Sequence, residues 1–108
     1  MATDQTVALT ILQQMGGQRK LKAMIGAHYF SGDDNMLMFS FKGCRKANKC
    51  RVTLDYASDL YIFELFKFSP KKLDSTPVFR LEGVYFDMLI DLFESETGLY
   101  LSLGTMGR

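Results

Sequence analysis

Apolar and polar positions alternate most regularly between residues 36 and 56. Leu37, Phe39 and Phe41 fall on one parity, and Met36, Met38, Ser40 and Lys42 on the other. After a six-residue loop, Cys50, Val52, Leu54 and Tyr56 alternate with Arg51, Thr53 and Asp55. A period of two sends successive side chains to opposite faces of a strand. The pattern therefore predicts a β-hairpin, with the first set of each run facing inward.

The flanking segments predict the remaining elements. Val7, Ala8, Ile11, Leu12 and Met15 recur at helical spacing, with Thr3 or Asp4 as the cap and Gly16-Gly17 as the stop. From Arg19 to Phe30, Leu21, Ala23 and Ile25 alternate with Lys20, Lys22 and Met24, which predicts a half-buried strand. Ser31 to Asn35 is a dense turn signal. A fourth strand, LYIFELFKF from Leu60, is apolar on both faces: Tyr61, Phe63 and Leu65 on one, Ile62, Phe66 and Phe68 on the other, beside Glu64. Such a strand is either covered twice or displays an apolar patch. SPKKLDSTP at 69–77 reads as a loop, and Val78–Glu82 as a short edge strand. A second helix is expected from Tyr85 to Thr97, burying Tyr85, Phe86, Leu89, Ile90 and Phe93, with Gly98 as its C-terminal cap. Leu101 and Leu103 extend the chain, and residues 104–108 are expected to fray.

The order is α-β-β-β-β-(β)-α. Strands joined by short turns run antiparallel. The fold class expected is α+β: an antiparallel four- to five-stranded sheet flanked by an N-terminal and a C-terminal helix, in one domain over residues 1–108.

Composition adds bounds. A hydrophobic content of 47% excludes wholesale disorder. The net charge of +1 by itself implies no polyanionic partner, but the charge is unevenly spread. Lys42, Arg45, Lys46, Lys49 and Arg51 occupy residues 42–51 without an acid, whereas Glu82, Asp87, Asp91, Glu94 and Glu96 occupy 82–96 without a base. A basic end and an acidic helix follow. MATDQTVALT lacks the pattern of a secretory leader, and no apolar run approaches the ~20 residues of a membrane span, so a cytoplasmic protein without membrane contact is expected. In that compartment Cys44 and Cys50 are expected as free thiols.

No catalytic constellation emerges. The single histidine, His28, lacks the partners of a tetrahedral metal site, and Cys44 and Cys50 at C-x5-C do not supply them. Asp87 and Asp91 share a helix face but read as solvated carboxylates, and Gly16-Gly17 lies in no phosphate-loop context. The expectation is a non-enzymatic protein without metal or cofactor. Two surfaces suit binding. The basic set Lys42, Arg45, Lys46, Lys49 and Arg51 suits phosphate contact, against the alternative of a solvated loop guarding a sheet edge. The apolar set Ile62, Phe66 and Phe68 suits a protein partner, either a host protein or a second copy in a homodimer. If both helices cover one side of the sheet, the other side carries cations, methionines and an aromatic on which bases stack.

Three segments, GGQRKLKAMIGAHYF at 16–30, RVTLDYASDLYIFEL at 51–65 and EGVYFDMLIDLFESETGLYLSL at 82–103, carry a resemblance. Together they resemble a widespread family of small phage and mobile-element proteins of unknown function. Its glycine pair matches Gly16 and Gly17; its closing G-V-Y-x-D and T-G-L-Y-x-S-L runs match Gly83 to Asp87 and Thr97 to Leu103. The chain departs from the family in being more apolar at Ile62 and Phe66. The resemblance covers roughly residues 9–103 and carries no catalytic motif. It implies a phage or mobile-element origin and expression inside a bacterial host cell, and no function. From the residues themselves, the expectation is an accessory protein that binds nucleic acid through the basic hairpin or, alternatively, an anti-defence inhibitor of host machinery that uses the apolar sheet face or the acidic helix.

Overall fold

The computed structural model describes residues 6–101. The cap expected at Thr3 or Asp4, the extension at Leu103 and the frayed tail at 104–108 lie outside them. Two helices, α1 (Thr6–Gln14) and α2 (Gln18–Ile25), precede strands β1 (His28–Asp33), β2 (Met36–Ser40), β3 (Lys49–Asp55), β4 (Leu60–Ser69) and β5 (Asp74–Val84). A 3-10 turn (Phe86–Met88) leads into α3 (Leu89–Thr97). The strands form one antiparallel sheet in sequential order, β1-β2-β3-β4-β5. The architecture is α+β, with helices at both ends of the chain.

One hydrophobic core joins the helices to one face of the sheet. Ile11 and Met15 of α1, Leu21 and Ile25 of α2, and Leu89 and Phe93 of α3 pack with Leu37, Phe39, Cys50, Val52, Phe63 and Leu65. These strand residues share the inward parity. Phe93 stands edge-on to Phe41 at 5.0 Å between ring centroids and lies 6.4 Å from Phe39, which holds α3 against β2 and the start of the following loop. Met36, Met38, Ile62, Phe66 and Phe68 belong neither to this core nor to the residues packed against it. All three helices therefore cover the same side, and the opposite face carries no helix among the described residues.

Four expectations need correction. The segment 18–25 is a helix, not a strand. In eight residues, Leu21, Met24 and Ile25 satisfy the i, i+3, i+4 template just as Leu21, Ala23 and Ile25 satisfy a period of two, and Ala23 is exposed as the helix requires. Gly26 ends α2 in the left-handed region (φ 63°), where the stem of Lys42 lies so close that an added Cβ would meet it at 3.3 Å. Second, β5 is 11 residues long rather than short, because only residues 70–73 turn the chain. Pro77 is accommodated on this edge strand, where no further neighbour needs its missing N–H. Third, α3 begins at Leu89, and Tyr85 and Phe86 are exposed rather than buried. Finally, Tyr56 lies at the strand end and is exposed, its hydroxyl donating to the Asp34 carbonyl. Gly98 caps α3 in the left-handed region as expected, its N–H donating to the Glu94 carbonyl.

Candidate functional site

A sequential antiparallel sheet collects alternate connections at its two ends. The β2–β3 loop and the β4–β5 turn meet at one end; the β1–β2 and β3–β4 turns meet at the other. The first end holds Lys42, Arg45 and Lys46, all exposed, and Lys49, half-buried. The β4–β5 hairpin adds Lys67, Lys71 and Lys72, all exposed, to the same end. The far end holds Asp33, Asp34, Asp55 and Asp59. Along the sheet connections the charge is therefore polarised on the strand axis, with Asp74 at the start of β5 the exception at the basic end, a separation that a net charge of +1 conceals. The acidic helix α3 does not form the opposite pole. It runs across the inner face, and Leu99, just past its end, lies against the basic loop at Gly43.

That loop, residues 41–48, is anchored rather than free. Ala47 is fully buried, and Cys44 packs against the core. The Phe41 N–H donates to the Asn48 carbonyl, and the Lys42 N–H to the carbonyl of Ile25. Gly43 takes φ 96°, and a Cβ there would meet Leu99 at 3.2 Å, so the loop passes where only glycine fits without strain. Asn48 joins the loop to β4: its backbone N–H donates to the Phe66 carbonyl, and its side-chain amide exchanges two hydrogen bonds with the Phe68 backbone. The cations at this end are thus presented from fixed backbone.

The uncovered face is organised in cross-strand rows, set by register. Nearest the acidic end, Met36, Thr53 and Ile62 form an apolar row. Next comes an ionic row of Met38, Arg51, Glu64 and Arg80. The Glu64 side chain is only 13% exposed, and it receives Arg51 Nε at 2.8 Å on one oxygen and Arg80 Nε at 3.5 Å on the other. Arg80 also pairs with Glu82. A carboxylate removed from water requires such partners. Arg51, one of the five expected phosphate contacts, is consequently engaged within the sheet, and its guanidinium also lies over the Phe66 ring at 4.9 Å. Lys49 sits over Phe68 at 5.0 Å, so two of the three expected partner-binding residues, Phe66 and Phe68, carry cations on their faces. Ile62 remains on the apolar row.

The third row, nearest the basic end, runs His28, Ser40, Lys49 and Phe66. Serine is the smallest of the four, so the row dips at Ser40. The dip opens into a cleft of about 500 Å³ lined by His28, Tyr29, Ser40, Lys42, Lys49 and Phe68, among others. Its β1 wall is built by a bulge: between His28 opposite Ser40 and Ser31 opposite Met38, β1 carries one residue more than β2. Phe30 uses the bulge to reach Phe39 in the core, at 5.6 Å between ring centroids. Tyr29 is thrown outward, 82% exposed, at φ 56°. A bulky residue held in that region costs of order 1–3 kcal/mol. His28 points Nδ1 at the Gly26 carbonyl at 2.8 Å; a carbonyl only accepts, so Nδ1 carries the proton and Nε2 is left for other partners.

No protein-family model, curated protein or solved structure matches the chain. Among the described residues no group of three or more His, Cys, Asp or Glu side chains is placed to hold a metal, and no helix is long and apolar enough to cross a membrane. Cys44 and Cys50 are free thiols; burial pushes the Cys50 thiol far up, and nearby Glu64 adds to the shift. Asp87 and Asp91 are exposed, as solvated carboxylates are.

Sequence reasoning missed Lys67, Lys71 and Lys72 as members of the basic end, and Tyr29, Ser40 and His28 as a cleft. The signal for the lysines is the meander itself: once β2–β3 and β4–β5 are read as successive hairpins, their loops must share an end. No signal in the sequence announces the bulge at Tyr29.

Proposed function

We propose that the protein binds nucleic acid through the cations at the basic end of its sheet and catalyses no reaction. What supports the reading is the convergence of Lys42, Arg45, Lys46 and Lys49 with Lys67, Lys71 and Lys72 on two connections and their adjoining strand ends at one end of the sheet. Phosphate contacts of this kind give salt-sensitive affinity with little dependence on sequence. Aspartates at the far end orient the molecule, so that a polyanion meets the basic end first. Beside it the exposed ring of Tyr29 offers a stacking surface to an unstacked base, which favours a single strand over a duplex. In keeping with the resemblance drawn from the sequence, the setting proposed is the cytoplasm of a bacterial host, with the protein an accessory factor of a phage or mobile element.

The test is fluorescence anisotropy with a labelled 20-nucleotide oligothymidylate at low salt. The wild type binds, and the triple variant Arg45→Ala, Lys46→Ala, Lys72→Ala loses binding while its circular dichroism stays unchanged. Absence of binding by the wild type at low salt would sink the proposal.

A second reading draws on the apolar row. Met36, Thr53 and Ile62, with Met38 beside them, lie outside the core on a face without a helix. Such a strip suits a protein partner, whether host machinery inhibited by an anti-defence protein or a second copy of this chain. Ile62→Lys separates the readings: it leaves oligonucleotide affinity intact if the basic end is the site, and removes a protein partner or a dimer if the strip is.

A further inference from the structure

We infer that the cleft over Ser40 is a binding site for a nucleoside phosphate. The inference rests on the reading of the basic end as a nucleic-acid surface, and specifies which part of that surface reads a single nucleotide. His28 and Lys49 flank Ser40 in register from the two neighbouring strands. Two strand spacings put their backbones ~10 Å apart, with a serine at the floor between them. That width admits a phosphate or the edge of a base and excludes a duplex.

The chemistry of the walls fits both halves of such a ligand. Lys49 stands on one side, and Lys42, its stem laid over Gly26, on the other. Two ammonium groups with the Ser40 hydroxyl below them suit a phosphate monoester. His28 turns Nδ1 to the Gly26 carbonyl, which leaves Nε2 for a further polar atom of the ligand. At the rim, Tyr29 offers a ring that is 82% exposed and braced edge-on by His28 at 4.7 Å. A base stacks on it while the phosphate occupies the floor. The bulge gives this assignment its direction: it holds a non-glycine residue at φ 56° and aims an aromatic side chain into solvent beside the cations. The core requires only Phe30 from this segment, so packing alone does not call for an aromatic at Tyr29.

The ligand arises either as a free mononucleotide or as the 5′-phosphorylated end of a strand. Both share the chemistry, and the test separates them. Thymidine 5′-monophosphate is titrated into the 15N-labelled protein, with thymidine and inorganic phosphate as separate controls. The mononucleotide is expected to move the amide signals of Tyr29, Ser40 and Lys49, with each control at least tenfold weaker. Tyr29→Gly removes the ring, suits the left-handed backbone and keeps the fold; Ser40→Leu fills the floor. Each is expected to weaken the mononucleotide by about tenfold or more. A 5′-phosphorylated oligothymidylate that binds at least tenfold tighter than its 5′-hydroxyl counterpart assigns the site to strand ends, and equal binding of the two assigns it to the free nucleotide. If the mononucleotide moves none of the three amides, or if both variants bind it like the wild type, the cleft is not the site. Loss of oligonucleotide binding in the Arg45/Lys46/Lys72 variant, with these amides unmoved by mononucleotide, overturns the cleft and leaves the basic end standing.

Discussion

Asn48 acts as a substitute strand residue for Phe68. Its amide nitrogen donates to the Phe68 carbonyl at 3.1 Å, and its amide oxygen accepts the Phe68 N–H at 2.7 Å. A side chain thereby continues the β3–β4 ladder past Lys49, the first residue of β3, and ties the basic loop to the hairpin that carries Lys67, Lys71 and Lys72. Asn48→Ala leaves both backbone groups of Phe68 without these partners. The expected loss of stability is about 1–3 kcal/mol, read as a lowered Tm, with faster amide exchange at Phe68. Oligonucleotide affinity falls too, because the loop cations are no longer held in place. A variant as stable as the wild type would show that the loop is held by Ala47 and the backbone bonds alone.

Glu64 restrains the positive charge of the uncovered face. It pairs with Arg51 and Arg80 from the two neighbouring strands. Glu64→Gln keeps the shape but removes the carboxylate from between the two guanidinium groups, freeing Arg51 and leaving Arg80 with Glu82. If polyanions approach this face from the basic end, the variant binds oligothymidylate more tightly and with a steeper salt dependence than the wild type. Its stability drops by about 1 kcal/mol, a value discounted for the exposure of both arginines. Unchanged affinity would confine the polyanion to the loops and exclude the face.

The β2–β3 hairpin and the shared inward parity of Leu37, Phe39, Cys50 and Val52 were legible in the sequence, because strict alternation over β2 and β3 admits only one template. The segment 18–25 was not. Eight residues in which Leu21, Met24 and Ile25 fit a helix and Leu21, Ala23 and Ile25 fit a strand admit either period, and the helix is decided by its neighbours: the Lys42 N–H bonds to the Ile25 carbonyl at its end, and Leu21 and Ile25 reach the core together. The basic end was half legible. Lys42, Arg45, Lys46 and Lys49 stand close in sequence, but Lys67, Lys71 and Lys72 join them only through the meander. Arg51 belongs to the same run by sequence and to Glu64 by structure, since a charge pattern along the chain does not tell which cation finds a carboxylate across a strand pair. The long β5 was obscured by Pro77, which reads as a loop residue until the strand is known to be an edge.

Two buried acids govern alkaline stability. Burial raises the Cys50 thiol, and it also raises the Tyr61 phenol, whose hydroxyl donates to Gln14. For each, the folded state holds a proton that the unfolded chain has already released above its ordinary range. Their contribution is complete below about pH 8.5, the ordinary thiol value, and is lost as pH rises beyond it. Chemical denaturation is expected to give constant stability from these two groups between pH 6 and about 8, then a decline that approaches ~1.4 kcal/mol per pH unit from the thiol above its unfolded value, with the phenol adding to it at higher pH. Cys50→Ala costs stability through the cavity it leaves but flattens the first part of this decline. An equal slope in wild type and variant would exclude the thiol as its source.

The two thiols differ in access. Cys50 is fully buried, whereas Cys44 is partly exposed in the basic loop. A charged disulfide reagent is expected to modify one thiol in the native protein and two after denaturation, with Cys44→Ser abolishing the native reaction. Rapid native modification of both would show that β3 opens far more readily than a central strand should.

In the proposed complex, phosphates contact the cations of the β2–β3 and β4–β5 connections together. The salt dependence of oligothymidylate binding tests it most directly, because its slope counts the phosphates neutralised. For four to six contacts on a single strand, affinity falls on the order of a hundredfold between 50 and 200 mM salt. Lys71→Ala with Lys72→Ala reduces the slope of log affinity against log salt by about 1.4, as Arg45→Ala with Lys46→Ala does, and the four substitutions together by about twice that. A slope unchanged by the Lys71/Lys72 pair, or affinity indifferent to salt in the wild type, would contradict the account.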